Sequence, residues 1–154
     1  MFGTRKYLGY FRAFPPASAV SLIRSRLKLQ NARRGELVAF PIARDMRPEL
    51  RADTHDIDIF EQIFLLRDCH VTLQSEPRVI IDAGAHIGCS ALFFASAFPL
   101  AHIAAIEADP GNFAMLSRNT EGHPRIRAMH AAVWHKHEAV AIANEDADPW
   151  GVQF

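Results

Sequence analysis

Val79-Ile80-Ile81-Asp82-Ala83-Gly84-Ala85-His86-Ile87-Gly88-Cys89-Ser90 reads as a strand, a glycine turn and the start of a helix. The β-branched residues 79–81 fit a strand buried on both faces. Gly84 takes backbone angles closed to other residues, and Gly88 lets the following helix pack close, so the N–H groups of residues 84–88 are expected to face a ligand at the helix N-terminus. Asp82, at the carboxyl end of the strand, sets a fixed negative charge beside that opening.

The spacing separates two cofactor classes. A dinucleotide fingerprint is G-x-G-x-x-G with no acid inside it, because the helix N-terminus must receive a pyrophosphate. Here the pattern is D-x-G-x-x-x-G. The acid repels a pyrophosphate and suits a ligand bearing an ammonium group and a sulfonium, such as S-adenosylmethionine. Residues 103–106 read as a second buried strand ending at Glu107, 25 residues after Asp82, where a carboxylate can accept both ribose hydroxyls. Residues 126–133 form a third strand whose end, at Ala131 and Ala132, is small enough to leave room for an adenine ring. A nicotinamide-dependent Rossmann enzyme is the competing reading, disfavoured by Asp82 and by the missing middle glycine.

Residues 79–90, the run Ala105-Ile106-Glu107-Ala108-Asp109-Pro110-Gly111-Asn112-Phe113, the later Leu116-Ser117-Arg118-Asn119 and His130-Ala131-Ala132-Val133 resemble the FkbM family of S-adenosylmethionine-dependent methyltransferases. Upstream, Arg51-Ala52-Asp53-Thr54-His55-Asp56 resembles the family's R-x-G-T-S-D segment, with Asp53 in place of the usual Gly and His55 in place of the usual Ser. The likeness covers residues 45–154. It implies an α/β fold: a partial Rossmann-like class I methyltransferase sheet, with about the first three parallel strands and their crossover helices, preceded by a helical and hairpin N-terminal extension. It also implies S-adenosyl-L-methionine as cofactor, with Asp82, Gly84, Ala85, His86, Gly88, Glu107, Ala108 and Ala132 around it. The implied reaction is O-methylation of a hydroxyl on a small-molecule, sugar or lipid-like acceptor. No catalytic residue is assigned. His86 stands where the family often has Asn, which points to loop shaping, and as a general base it is a weak candidate. Family members continue to a fourth strand with a Lys-x-Asp-x-Glu-Gly type motif, whereas this sequence ends at Phe154. The expectation is therefore an N-terminal piece of a longer enzyme or a degenerate reading frame, with the first strand an unpaired sheet edge. The alternative function is a non-catalytic S-adenosylmethionine-binding or interaction module.

At 154 residues and 49% hydrophobic, the chain can bury a real core, yet a full seven-stranded sheet needs roughly 200 residues. Formal net charge is zero, but residues 1–51 hold 11 Lys and Arg against 3 Asp and Glu, and residues 52–154 hold 6 against 14. A basic arm can mean a nucleic-acid or anionic-membrane surface, but the basic half reads first as a solvated helix face that balances the acidic domain; no aromatic-rich RNA motif accompanies it, so no nucleic-acid partner is expected. Cys69 and Cys89 lack C-x-x-C spacing and fit buried thiols in a reduced, cytoplasmic setting. The first 14 residues lack the apolar run of a signal peptide. Residues 83–106 contain no Asp, Glu, Lys or Arg over 24 positions, but Gly84, Gly88, Pro99 and two histidines interrupt them, so a buried βαβ unit is read instead of a membrane span. His130, His135 and His137 have no supporting ligand cluster, and no metal is expected. Expected partners are a small-molecule acceptor and either a second copy or a C-terminal half of the sheet.

Two domains are expected, residues 1–50 and 51–154. In order, the chain should begin with a mobile arm up to Pro15-Pro16, then a helix over residues 17–32 with Ser18 as a possible cap and Val20, Ile23 and Leu27 on one face opposite Arg24, Arg26 and Lys28; that apolar stripe is read as covering the domain, ahead of lying on a membrane or a partner. Residues 37–42 read as an edge strand broken at Pro41, which Leu50 closes into a hairpin. Thr54 and Asp56 can cap a helix over residues 57–67 that packs Ile57, Phe60, Ile63 and Phe64 on the sheet edge, with Thr54 or Asp56 near the methionine end of the cofactor. Helices follow over residues 90–98, where Leu92, Phe93 and Phe94 cover the sheet, and 110–119, the latter with Asp109 as N-cap and Pro110 at its first position. Residues 139–143 alternate like the start of a hairpin, followed by an acidic loop.

Overall fold

The computed structural model describes residues 3–136, and the expected hairpin start at 139–143, the acidic loop after it and His137 lie outside them. The chain divides into two compact units, Met1–Thr72 and Leu73–Phe154. The boundary falls later than residue 50 because residues 51–66 fold back onto the N-terminal hairpin and helices.

The N-terminal unit holds α1 (Gly3–Ala13), α2 (Pro16–Asn31), the antiparallel pair β1 (Leu37–Ala39) and β2 (Glu49–Arg51), and α3 (Asp56–Glu61), which runs on as a π-type turn over Gln62–Leu66. The expected mobile arm is thus a helix, and the reason is Tyr10: its ring is fully buried and its hydroxyl donates to Glu61 Oε1 at 3.0 Å. Burial, then repulsion from Glu61, pushes the Tyr10 hydroxyl pKa far up, so it stays a donor. Arg26 Nε meets the same carboxylate oxygen at 3.0 Å, so Arg26 faces inward, contrary to the outward face expected for it.

α2 rotates the rest of its surface accordingly. It buries Ala19, Leu22 and Leu29, and leaves Val20 and Leu27 exposed, which corrects the expected stripe of Val20, Ile23 and Leu27. Ser18 caps nothing; Pro15 precedes the helix and Pro16 opens it, where a missing N–H costs no bond. The hairpin closes as expected, with Val38 opposite Leu50. Phe40 and Phe60 pack with ring centroids 4.9 Å apart and Phe64 continues the stack, so the α3 aromatics fill the core of this unit.

In the C-terminal unit three parallel strands, β3 (Val79–Ala83), β4 (His102–Glu107) and β5 (Ile126–His130), lie in the order β3-β4-β5. α4 (Cys89–Ala97) and α5 (Pro110–Asn119) make the crossovers. This is the partial Rossmann-like α/β sheet expected, with the first strand at its edge. Ala91 and Ala95 of α4 and Leu116 of α5 pack with Ile80, Ile103, Ala105, Ile126 and Ala128, so both helices cover one face. Leu92 is buried with them, while Phe93 and Phe94 are half-buried. Alternation puts Val79, Ile81 and Met129 on the other face, where Val79 is 66% and Ile81 68% exposed. The expectation that β3 is buried on both faces is therefore wrong: two same-handed crossovers in succession place both helices on the same side.

Candidate functional site

The carboxyl ends of β3 and β4 bring the two sequence-predicted carboxylates to one end of the helix-covered face. Asp82 follows Ile80 there, and Glu107 follows Ile103 and Ala105. Between β3 and α4 the chain makes three left-handed backbone turns, at Gly84 (φ +78°), His86 (φ +50°) and Gly88 (φ +90°).

The glycine turn is closed by internal hydrogen bonds. Gly84 N and Ala85 N both donate to Ile106 O at 2.9 Å, His86 N donates to Glu107 Oε2 at 2.8 Å, and Gly88 N donates to Ala85 O at 2.8 Å. These four N–H groups are taken internally, which corrects the expectation for Gly84, Ala85, His86 and Gly88. The carbonyl of Ile106 and the Glu107 carboxylate of β4 take up the first three, and Glu107 Oε1 also accepts from Asp109 N at 2.8 Å. Each carboxylate oxygen keeps a further lone pair. Ala85 is only 2% exposed and belongs to the core, so it shapes the turn from beneath.

Asp82 has a different environment. Ser90 Oγ donates to its Oδ2 at 2.6 Å, a contact the sequence reading missed although Ser90 stands in the first turn of α4. Burial raises the Asp82 pKa, the Ser90 hydrogen bond opposes the rise, and the nearby Glu107 charge adds to it. A partly buried anion without a cation is the group here most in need of a positive ligand.

The two glycines differ in what surrounds them. A Cβ on Gly84 would meet nothing within 4 Å, so the turn is open there to a bound molecule. A Cβ on Gly88 would sit 2.9 Å from Leu116 Cδ1 and 3.3 Å from Thr120 Cγ2, so the close approach is to α5. Gly88→Ala is expected to lower stability by about 2–3 kcal/mol, from strain and overpacking together. Gly84→Ala should cost about 1–2 kcal/mol, from the left-handed backbone alone. Urea titration of the two variants checks the order; equal losses would contradict the packing role of Gly88.

His86 has a backbone conformation that Asn tolerates well, which gives a physical reason for a loop-shaping residue here. His86→Gly is expected to stabilise the fold by about 1 kcal/mol through relief of that strain, and a lower melting temperature would show that the imidazole contributes more to the turn than its backbone costs.

At the end of β5, His130 Nε2 lies 3.0 Å from Ala108 O and its ring stacks on Phe113 at 4.7 Å, fixing the segment after Glu107. The carbonyl of Ala108 is thereby engaged. Ala131 N donates to Glu107 O at 3.1 Å, and Ala131 and Ala132 follow the strand as half-buried small residues. As expected, Asp109 caps α5, accepting from Asn112 N at 2.7 Å. Thr54 and Asp56 belong to the N-terminal unit. Asp56 is no cap: its carboxylate is taken up by Arg51.

No helix among the described residues is long and apolar enough to cross a membrane. No protein-family model matches the sequence, and no curated protein matches it. Among solved structures, a similar chain is coclaurine N-methyltransferase bound to N-methylheliamine and SAH, with 12% identity and a TM-score of 0.37. The match covers 88% of this chain and 44% of that one, so this chain spans less than half of the methyltransferase's length.

Proposed function

We propose that the chain is the cofactor-binding part of an S-adenosylmethionine-dependent methyltransferase of FkbM type, acting on a hydroxyl of a small-molecule, sugar or lipid-like acceptor. The observation that carries this reading is the closed glycine turn beside an uncompensated carboxylate. The N–H groups of Gly84, Ala85, His86 and Gly88 are used internally and so are not offered to a pyrophosphate. Asp82, by contrast, is a half-buried carboxylate whose pKa burial and the nearby Glu107 charge raise, and no cation among the described residues offsets them.

When bound, S-adenosylmethionine supplies a methyl group made electrophilic by its sulfonium. Asp82 holds the ammonium side, oriented by Ser90. Glu107 accepts the ribose hydroxyls on its remaining lone pairs while its backbone contacts keep the turn rigid. The open side of Gly84 gives the ligand room, and Ala131 and Ala132 leave space for the adenine. The protein's share of the chemistry is then alignment and exclusion of water.

The exposed apolar face of the sheet favours a second reading, a module that binds the cofactor and docks elsewhere without transferring a methyl group. Calorimetric titration with S-adenosylmethionine and NAD tests the cofactor assignment: micromolar binding of the first and none of the second is expected, and a preference for NAD would overturn it. Methyl transfer to a panel of hydroxyl acceptors then separates the enzyme from the module.

A further inference from the structure

The N-terminal helices carry a surface with one sign of charge. Residues 1–35 contain eight Lys and Arg and no Asp or Glu. Arg26 is spent on Glu61 inside the unit and Arg34 lies 3.8 Å from the exposed Asp53 carboxylate, while Arg12, Arg24, Lys28 and Arg33 are exposed. Interleaved with them are large apolar side chains that the fold leaves out: Leu8 is 48%, Phe11 47%, Val20 39% and Leu27 44% exposed. At about 100° per residue, Val20, Arg24, Leu27 and Lys28 fall in one stripe of α2, and Leu8, Phe11 and Arg12 in one stripe of α1. A helix face that alternates bulky apolar and cationic residues, with no acid on either helix, is unusual for a surface that meets only water.

We propose that this face of α1 and α2 docks on an anionic lipid surface. Charge complementarity selects the occupant: the basic residues meet lipid headgroup phosphates and carboxylates, and the apolar chains enter the boundary between headgroups and acyl chains. A second copy of the same face would bring like charges together. Nucleic acid would satisfy the cations but not Leu8, Val20 and Leu27, which have no ring to stack on a base.

The test is flotation of the full chain with phosphatidylcholine vesicles, with and without about 30% phosphatidylserine, at about 0.1 M and 0.5 M salt. Binding is expected only to the phosphatidylserine vesicles and should weaken at high salt. Arg24→Glu combined with Lys28→Glu should weaken it by at least about tenfold, and Phe11→Ser combined with Leu27→Ser by about five- to tenfold. All four positions are exposed, and unchanged circular dichroism checks that the variants fold. Failure to bind phosphatidylserine vesicles, or equal binding by the double-Glu variant, would overturn the proposal. Tight binding of a single-stranded oligonucleotide without vesicle binding would reassign the face to nucleic acid, and salt-sensitive self-association without vesicle binding would reassign it to a second copy.

Discussion

Asp82→Asn is expected to weaken S-adenosylmethionine binding by about 2–4 kcal/mol, the usual loss when one member of a desolvated charge pair is neutralised, and at the same time to raise the melting temperature of the ligand-free chain. The two effects have one cause. Asparagine keeps the shape and can still accept from Ser90, so the 2.6 Å contact has a counterpart. What disappears is a negative charge that burial and Glu107 both disfavour. Because the folded-state pKa of Asp82 is raised, the folded chain holds its proton more tightly than the unfolded chain. That contribution to stability is present below the unfolded value and is lost as pH rises through the folded one. The asparagine variant stays neutral throughout, so its advantage over the parent should grow as pH rises through the folded pKa of Asp82. Ligand binding has the opposite dependence: a cationic ligand favours the ionised carboxylate, so affinity should fall as the pH is lowered through the same pKa. Calorimetry across pH and thermal melts of both proteins read the two slopes. A variant that binds as well as the parent would remove Asp82 from the site.

Glu107 makes a less clean test of the same site. Its two oxygens hold His86 N and Asp109 N, so Glu107→Ala removes the turn and cap-region contacts together with the proposed ribose acceptor. Loss of binding in that variant cannot separate contact from collapse, and the Asp82 variant is the one that can.

The C-terminal unit was the legible half. Its strands and helices are short, their periods clean and their ends marked by Gly84, Gly88, Pro99 and the Asp109-Pro110 cap, so local chemistry fixes the elements and the crossovers fix the order. Which side of the sheet the helices cover depends on handedness, and an all-apolar strand such as residues 79–81 has no polar face to betray it. In the glycine turn the positions are readable, but the direction of the N–H groups is not: it depends on the Ile106 carbonyl and the Glu107 carboxylate of the next strand, the latter reaching His86 N across 21 residues. The N-terminal unit was harder because its partners are far apart in sequence. Tyr10 meets Glu61 across 51 residues and Arg26 meets it across 35, and this network decides which face of α2 turns inward. In the Arg51–Asp56 segment, Thr and Asp before a helix read as caps, whereas the Asp56 carboxylate meets Arg51 instead. Asp53 sits at φ +59°, a left-handed conformation that glycine adopts without strain.

Arg51→Ala is expected to destabilise the N-terminal unit by about 3–5 kcal/mol, because it strands a buried carboxylate. Asp56 is fully buried, and Arg51 supplies three donors to it: N at 2.8 Å and Nε at 2.9 Å to Oδ2, and Nη2 at 2.8 Å to Oδ1. The hydroxyl of Thr54 completes the loop, donating to Arg51 O at 2.9 Å and accepting from Asp56 N at 3.2 Å. The loop therefore ties the end of β2 to the first turn of α3, where the buried acid also complements the helix dipole. Arg51→Lys should recover little, since an ammonium cannot reproduce the fork that meets both carboxylate oxygens. Arg51→Met with Asp56→Leu should be more stable than Arg51→Ala, because no charge is left buried without its partner. Denaturant titrations of Arg51→Met, Asp56→Leu and their double variant close the cycle. A coupling of less than about 0.5 kcal/mol, within the range of an exposed pair, would mean that the helices and aromatics hold this unit together without the clasp.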